Sequence, residues 1–201
     1  MPSIKKSSLI FNTTEREERI KESPVLFLDR DGVIIEDCHY IKEPNKVKLC
    51  KGAKNLIRSA FKKNIPIIII TNQSGISKNL LSWEDYYSVT KAMIEKLGNP
   101  NPITAIYANS YINDTPKENW RKPNPTMITK ALDDLSLNID NSILIGDRKS
   151  DIISGLRAGI KNLFHVKTGH GEKERKELIK NVENNYLDLN KSNFPKSNSA
   201  A

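Results

Sequence analysis

Short apolar segments alternate along this chain with segments in which apolar residues recur at helical spacing. The runs Pro24–Leu28 and Ile65–Ile70 are β-forming, and each stops at polar residues, as a buried strand does. Further strands are predicted at 102–107, 142–146 and 162–166, and helices at 51–63, 83–97, 125–136, 150–158 and 172–182. This repeated alternation predicts an α/β fold in which a parallel sheet carries helices on both faces.

The length of 201 residues leaves room for one such domain. We assign the domain to residues 24–184, because residues 1–23 are polar without a sustained period and are interpreted as a tail or a peripheral helix. Residues 185–201 end in a Ser/Asn-rich stretch and are predicted to form a disordered tail. We find no repeat or linker that divides the central segment.

The composition limits which cellular compartment and which classes of binding partner are expected for the protein. No apolar run approaches the roughly 20 residues that span a bilayer, and the only two cysteines, Cys38 and Cys50, exclude a disulfide framework. A cytoplasmic protein without membrane contact is therefore expected. The net charge is +8, but the lysines are scattered. This pattern favours attraction of a small anionic substrate over specific nucleic-acid binding.

Polar side chains follow three of the predicted strands. Asp29 and Asp31 end the first strand, Thr71 and Asn72 the second, and Asp147 the fourth. Because open parallel sheets bind ligands outside the carboxyl ends of their strands, all of these groups have access to one crevice. Carboxylates two residues apart on a strand share a face and repel each other unless a cation neutralises them or one holds a proton. Hard oxygen ligands without a Cys or His cage suit Mg²⁺.

The loop Arg121–Pro125 adds two cations to this set of acids. Lys122 can act as a point charge on a phosphate, while Thr71 and Asn72 offer a hydroxyl and an amide. Together these groups predict phosphoryl transfer, in which an ionised aspartate can be the nucleophile. Each motif alone has a plain alternative, since D-x-D-G recurs in calcium loops and turns, and G-D-x-x-x-D can cap a helix. Their order at successive strand ends favours the functional interpretation.

Four motifs carry a resemblance to a known family: FLDRDG (27–32), IITNQSG (69–75), RKPNP (121–125) and GDRKSD (146–151). Over about residues 24–171, the chain resembles the haloacid-dehalogenase (HAD) superfamily of aspartate-nucleophile phosphohydrolases. Within that superfamily it is most similar to the branch of D-glycero-D-manno-heptose 1,7-bisphosphate 7-phosphatases and histidinol-phosphatases. The resemblance implies a Rossmann-like fold.

The resemblance also implies a role for each matched residue. Asp29 would attack phosphorus and become phosphorylated, and Asp31 would protonate the leaving oxygen and later accept a proton from water. Mg²⁺ would be held by Asp29, the backbone carbonyl of Asp31 and Asp147, with Asp151 supporting the metal site. The phosphoryl oxygens would contact Thr71, Asn72 and Lys122, and the rest of the substrate would face Asp37, Cys38, His39, Tyr40, Gln73, Ser74, Arg121 and Arg148.

The spacing of the motifs limits what can cover this site. Intervals of about 40 and about 50 residues separate the second motif from its neighbours, and a helix and a strand consume most of each. No folded cap domain fits into the remainder. We therefore expect an essentially capless enzyme, whose mouth is shaped by loops 33–48 and 108–124.

Departures from the family pattern leave the exact sugar open. Residues 107–120 occupy the place where heptose-bisphosphate phosphatases commonly carry a Cys/His zinc loop, but they hold neither Cys nor His, so no zinc is expected. His39 stands where glycine is usual.

The favoured function is Mg²⁺-dependent hydrolysis of a phosphorylated sugar by a monomer, first of all at the 7-phosphate of heptose bisphosphate. Histidinol phosphate or another sugar phosphate is the alternative, ahead of a nucleic-acid 3′-phosphatase and an inactive binding protein.

Overall fold

The fold is built on one seven-stranded sheet. The computed structural model describes residues 6–11, 24–113, 119–181 and 186–188. The strands are β1 (Lys6–Ile10), β2 (Leu26–Leu28), β3 (Ile67–Asn72), β4 (Ala105–Asn109), β5 (Ile143–Gly146), β6 (Asn162–His165) and β7 (Tyr186–Asp188). Their order across the sheet is β1-β4-β3-β2-β5-β6-β7, and only the β1–β4 pair is antiparallel.

The helices connect successive parallel strands. They are α1 (Ala53–Lys62), α2 (Ser74–Ser77), α3 (Trp83–Leu97), α4 (Thr126–Leu135), α5 (Lys149–Ala158) and α6 (Gly171–Asn181), with a short 3-10 helix at Pro44–Lys46. The start of α3 is set by a capping box in which Ser82 Oγ accepts from the Asp85 N–H and the Asp85 carboxylate accepts from the Ser82 N–H. Every predicted helix is present, and α2 is an addition that the sequence analysis did not predict.

Two apolar cores lie on opposite faces of the sheet. On one face, Phe27 of β2 is buried with Met127 of α4 and Ile152 of α5. On the other face, the neighbouring Leu28 is buried with Ile57 of α1 and with α3 residues such as Val89. This alternation of side chains along β2 follows from the period of two in a strand, and it confirms the prediction of a parallel sheet with helices on both faces.

The strand order creates a crevice at the carboxyl ends of the central strands. The chain runs from β2 outward through β3 to β4 and then crosses over to β5, on the other side of β2. Ligands of doubly wound sheets bind at such a reversal. The residues that follow β2, β3 and β5 therefore meet at one place, as the sequence predicts.

The two edge strands correct the predicted domain ends. Residues 6–10 form β1, paired with β4, where a tail or a peripheral helix was expected, and residues 186–188 form β7, where a disordered tail was expected. Both segments lack a strong local signal, because an edge strand of this kind depends on hydrogen bonds to a partner that is distant in sequence. Apart from Phe11, which follows β1, the remaining residues of 1–23 and 185–201 lie outside the described residues.

The connections above the crevice contain no separate folded unit in the part of the chain that the structure describes. Between β2 and α1 the chain forms turns and the 3-10 helix, and between β4 and α4 the described residues form bends and turns. This agrees with the expected capless architecture. No helix in the described ranges is both long and apolar enough to span a bilayer.

Candidate active site

A buried ion-pair cluster joins three of the strand ends. Asp29 directly follows β2, and its N–H donates to Ile145 O at 3.0 Å, so it continues the pairing with β5. The ammonium group of Lys122 lies 3.0 Å from Asp29 Oδ1 and 2.7 Å from Asp151 Oδ1. Lys122 Nζ also donates to Ile70 O at 2.9 Å, and the side chain is only 2% exposed. These bonds fix one positive charge between two carboxylates.

The surroundings shift the protonation equilibria of this cluster. Burial raises the pKa of Asp29 to about 7, with Lys122 opposing the shift and Asp151 and Asp31 adding to it. Burial alone would lower the pKa of Lys122, but the neighbouring Asp151 and Asp29 outweigh it and raise that pKa above its ordinary value. Lys122 therefore keeps its charge, and the cluster has more acids than one lysine can neutralise.

Asp147, which follows β5, is completely buried beside this cluster. Its Oδ2 accepts a hydrogen bond from the His170 N–H at 2.7 Å, whereas its Oδ1 is buried without a hydrogen-bond partner among the described residues. Burial raises the pKa of Asp147 to about 8, and the nearby Asp151 and Asp29 add to this shift. A buried carboxylate oxygen without a partner is costly unless a proton or a cation satisfies it.

The acidic cluster fits a hard divalent cation. One carboxylate oxygen from each of Asp29, Asp147 and Asp151 lies within 4.8 Å of the other two. Oxygen ligands of this kind suit Mg²⁺. The structure thus brings Asp29 and Asp147 together as the sequence predicts, while a contact of the Asp31 carbonyl with the metal remains a prediction.

Two glycines allow the backbone to close around Asp147. A Cβ atom at Gly32 would lie 2.6 Å from Asp147 Oδ2, and one at Gly169 would lie 2.3 Å from the same oxygen. Both glycines also have positive φ angles, of 81° and 58°. The turns after β2 and before α6 can therefore pack against the carboxylate only because neither carries a side chain there.

The side chain of Asp31 is held by a residue that the sequence analysis missed. Arg30 donates from Nε to Asp31 Oδ2 and from Nη2 to Asp31 Oδ1, both at 3.1 Å. Gln73 Nε2 donates to Asp31 Oδ2 at 2.8 Å, and Gln73 Oε1 accepts from Arg30 at 3.1 Å. The guanidinium lies 5.1 Å from the Tyr86 ring centroid and is almost fully buried. Alternation along a strand would direct Arg30 away from the two aspartates, but β2 ends at Leu28, so only the tertiary structure places Arg30 beside Asp31.

The polar residues at the carboxyl end of β3 both line the pocket, and one of them also supports a neighbouring loop. Thr71 is buried, and its Oγ1 accepts from Gln73 Nε2 at 2.8 Å. Asn72 binds the backbone of Lys122 on both sides, accepting from its N–H and donating to its carbonyl, each at 3.1 Å. Asn109 Nδ2 also donates to Asn72 Oδ1, at 2.6 Å. Asn72 therefore lines the pocket and also holds the loop that carries Lys122.

A pocket of about 630 Å³ opens above these groups. Most of the predicted site residues line it: Asp29, Asp31, Asp37, His39, Tyr40, Thr71, Asn72, Gln73, Ser74, Arg121, Lys122, Arg148 and Asp151. Asp147 is buried and is not part of the lining. Cys38, which was predicted to face the substrate, is exposed and is not part of the lining. The lining also includes Arg30 and Lys78, neither of which was predicted.

Cationic and aromatic side chains surround the mouth of the pocket. Lys78 Nζ donates to the Tyr40 hydroxyl at 3.1 Å. The Tyr40 ring lies over Gly75, where a Cβ atom would approach a ring carbon to 2.4 Å. Arg121 Nη1 donates to Tyr111 O at 3.0 Å, which ties one basic side chain to the loop after β4. The loops predicted to shape the mouth thus supply part of its lining.

Comparison with known proteins places this fold and site in a class. A HAD-hydrolase-like family model matches residues 119–188. A crystal structure of a D,D-heptose 1,7-bisphosphate phosphatase from B. bronchiseptica, complexed with magnesium and phosphate, has a TM-score of 0.69 to this chain at 24% identity. That match covers 77% of this chain and 86% of the other. These matches and the order of the strands identify the fold as HAD-like.

Two curated relatives narrow the class to a family. A D-glycero-alpha-D-manno-heptose-1,7-bisphosphate 7-phosphatase from Photorhabdus laumondii is 36% identical over 160 residues, which is 76% of this chain and 87% of the relative. A D-glycero-beta-D-manno-heptose-1,7-bisphosphate 7-phosphatase from Helicobacter pylori is 33% identical over 141 residues, which is 68% of this chain and 80% of the relative. The chain belongs to the family of heptose-1,7-bisphosphate 7-phosphatases within the HAD-like hydrolases.

Proposed function

We propose that this protein removes the 7-phosphate of D-glycero-D-manno-heptose 1,7-bisphosphate through an aspartyl-phosphate intermediate, with Mg²⁺ as cofactor. One observation carries the proposal. The buried Asp29 carboxylate is held by Lys122 at the floor of the pocket, within 4.8 Å of an oxygen of Asp147. A carboxylate placed beside fixed positive charge and further acids is suited to nucleophilic attack on phosphorus.

We assign roles to Asp29 and Asp31 in the two chemical steps, which are the formation and the hydrolysis of the aspartyl-phosphate. Lys122 and the Arg30 N–H both contact Asp29 Oδ1, so we assign the attack on phosphorus to Oδ2. As the bond from phosphorus to the sugar oxygen breaks, that oxygen takes a proton from the Asp31 carboxyl group. Water then attacks the phosphorus of the aspartyl-phosphate and gives a proton back to Asp31, which restores Asp29 and releases phosphate.

Asp29 and Asp147 would hold Mg²⁺, together with the carbonyl oxygen of Asp31. When bound, Mg²⁺ supplies positive charge that offsets the repulsion between the phosphoryl oxygens and the carboxylates. Asp151 is already engaged by Lys122 and by the Arg148 N–H, which donates at 2.9 Å, so we assign it a supporting role. The same positive charge favours the ionised form of Asp29 that the attack requires.

The mouth of the pocket supports a substrate with a second phosphate. Lys78, Arg121 and Arg148 line the pocket together with Lys122 at its floor. A sugar with one phosphoryl group at the floor and another toward the mouth would meet positive charge at both ends. A volume of about 630 Å³ is within the range of small-molecule sites. The names of the relatives in both anomeric series agree with a heptose bisphosphate.

Phosphate release from a substrate panel tests this function. The panel contains both anomers of the heptose bisphosphate, histidinol phosphate, a hexose monophosphate and a 3′-phosphorylated oligonucleotide, each with Mg²⁺ and with EDTA. We expect the highest kcat/KM on a heptose bisphosphate and no turnover in EDTA. A higher kcat/KM on histidinol phosphate or the oligonucleotide would overturn the substrate assignment, and turnover by Asp29→Asn would overturn the assigned nucleophile.

A further inference from the structure

Two of the three histidines in the chain lie together at the mouth of the pocket, apart from the acidic cluster. His39 lies in the loop after β2 and His170 in the turn before α6, and their ring centroids are 5.8 Å apart in an edge-to-face arrangement. Asp37 Oδ2 lies 2.9 Å from His170 Nε2. One potential ligand atom from each of Asp37, His39 and His170 lies within 4.8 Å of the other two.

Backbone hydrogen bonds anchor the loop and the turn that carry these residues. The His39 N–H donates to Asp37 Oδ1 at 3.0 Å, so the other oxygen of that carboxylate is the one that meets His170. The His170 N–H donates to Asp147 Oδ2 at 2.7 Å, and the Thr168 hydroxyl donates to Gly32 O. These hydrogen bonds hold the loop and the turn that carry the three potential ligands close to each other.

The donor set differs in kind from that of the acidic cluster. Two imidazole nitrogens and one carboxylate oxygen suit Zn²⁺, which binds these atoms at about 2.0–2.2 Å. Ligand atoms of a tetrahedral site at those bond lengths lie roughly 3.4 Å apart. Asp37 Oδ2 and His170 Nε2 are 2.9 Å apart, and one potential ligand atom of each residue lies within 4.8 Å of the others, so small shifts reach that spacing. Mg²⁺ prefers oxygen ligands, so the two clusters select different ions.

We infer that Asp37, His39 and His170 form a second metal site, for Zn²⁺ or another borderline divalent ion, at the mouth of the active-site pocket. The third histidine, His165, does not take part, because it is fully buried and its Nε2 lies 2.9 Å from Asp147 O. Three protein ligands leave one coordination position for water or for an oxygen of a bound molecule.

The positively charged guanidinium of Arg148 lies close to this cluster. Arg148 Nη2 is 3.9 Å from Asp37 Oδ2, and the Arg148 side chain is 43% exposed. At that distance and exposure the ion pair is weak, and the guanidinium can turn toward solvent when a metal binds. The site lies outside residues 107–120, whose lack of Cys and His was the ground for expecting no zinc, so this inference departs from that expectation.

Titration of tag-free protein with Co²⁺ in excess Mg²⁺ tests this site, because the visible spectrum of Co²⁺ reports its ligands and Mg²⁺ keeps the acidic cluster filled. We expect one equivalent of Co²⁺ to bind and to be displaced by Zn²⁺. His39→Gly should weaken binding by at least about 10-fold, because even outer-shell changes at metal sites cost that much. Glycine fits the φ of 45° at this position, so the loop should keep its fold.

Cys38→Ser is the matched control, since Cys38 is an exposed thiol next to His39. We expect it to bind Co²⁺ with unchanged affinity, and His170→Gln to weaken binding as His39→Gly does. Absence of saturable binding in the unmodified protein would overturn the inference. The same holds if His39→Gly keeps full affinity, or if Cys38→Ser loses the site together with a thiolate charge-transfer band. Because the readout is binding, it stands independently of the proposed phosphatase activity.

Discussion

The guanidinium of Arg30 binds both carboxylate oxygens of the adjacent Asp31, each at 3.1 Å. Two neighbouring residues of one motif are thus joined in a bidentate pair, and Gln73 closes the arrangement by bonding to both. The pair is buried on the Arg30 side and faces the pocket on the Asp31 side. Such planar, two-point recognition of a carboxylate is a property of arginine that lysine does not share.

Arg30→Lys should therefore impair proton transfer by Asp31 while leaving substrate binding in place. We expect kcat to fall by about 10- to 100-fold with KM little changed, which is less than the roughly 10²–10⁴-fold that a general acid–base group contributes, because Asp31 itself is retained. Steady-state kinetics on the favoured substrate provide the measurement. A variant in which KM rises and kcat stays constant would show instead that Arg30 acts on substrate binding.

Replacing the nucleophile should separate activity from folding. We expect Asp29→Asn to lower kcat by at least about 10⁴-fold, a loss typical of a group in the covalent step. Its thermal stability without Mg²⁺ should match or exceed that of the unmodified protein, because a buried acid with a raised pKa is replaced by a neutral group while Lys122 keeps Asp151. Phosphate release and a melting curve measure the two effects, and near-normal turnover would contradict the role of Asp29.

Removing the buried lysine should cost much more stability than removing an exposed one. Lys122→Met leaves Asp29 and Asp151 without their shared cation, and breaking a buried pair costs about 3–5 kcal/mol. Lys54→Met, on the exposed face of α1, is the control and should change stability by less than about 0.5 kcal/mol. Urea unfolding at neutral pH measures both. Equal midpoints would show that the cluster does not depend on Lys122.

The raised pKa values predict how pH and Mg²⁺ act on stability together. Burial raises the pKa of Asp29 from 3.8 to about 7 and that of Asp147 from 3.8 to about 8. Between about pH 3.8 and about pH 8, the metal-free folded protein binds more protons than the unfolded chain. The contribution of these groups to the free energy of unfolding therefore falls as pH rises. Mg²⁺ requires the ionised carboxylates, so it should stabilise the protein more at high pH than at low pH.

Melting curves at pH 5 and pH 8, with and without Mg²⁺, measure this coupling. At a Mg²⁺ concentration about 100 times Kd, the gain in stability at the higher pH should be about 2.7 kcal/mol. Asp147→Asn serves as the control and should lose most of the Mg²⁺-dependent shift. An equal effect of Mg²⁺ at both pH values would contradict the assignment of these acids to the metal site.

Adding one methyl group beside Asp147 should disturb the same site. A Cβ at Gly32 would lie 2.6 Å from Asp147 Oδ2, so Gly32→Ala should weaken the Mg²⁺-dependent rise in melting temperature and lower activity by at least about 10-fold. Gly98→Ala is the control, because Gly98 also has a positive φ but a Cβ there meets nothing within 4 Å. It should lose some stability and keep its Mg²⁺ response. A normal Mg²⁺ response in Gly32→Ala would show that Asp147 tolerates the displacement.

Local patterns predicted the central elements because those elements are determined by local physics. The run Ile65–Ile70 supplies the first four residues of β3, and the β-branched side chains of these four residues fill both faces of a buried strand. Ser82 and Asp85 start α3 through a capping box that needs only four consecutive residues. The order of polar residues after β2, β3 and β5 then predicts one crevice, since parallel strands end at the same edge.

Other features needed contacts between residues far apart in the chain. The segment Lys6–Ile10 becomes a strand only because β4 offers an edge to pair with, and nothing in its own composition requires this. Asn72 looks like a phosphate ligand by position, yet its amide also holds the backbone of Lys122, 50 residues away. Cys38 falls inside a motif that was predicted to face the substrate, but the fold leaves it exposed and outside the lining of the pocket.

The identities and spacing of Asp29, Asp31, Lys122 and Asp147 predict the chemistry, because carboxylates and a lysine at the ends of neighbouring parallel strands can together bind a divalent cation and a phosphoryl group. The tertiary structure determines which of these side chains are ionised and which of them pair with one another. Burial raises the pKa of Asp29 and Asp147, and Lys122 is placed between Asp29 and Asp151. The energy of a charged side chain depends on its exposure to water and on its distance from other charges. Both are determined only when the separate strands come together in one sheet.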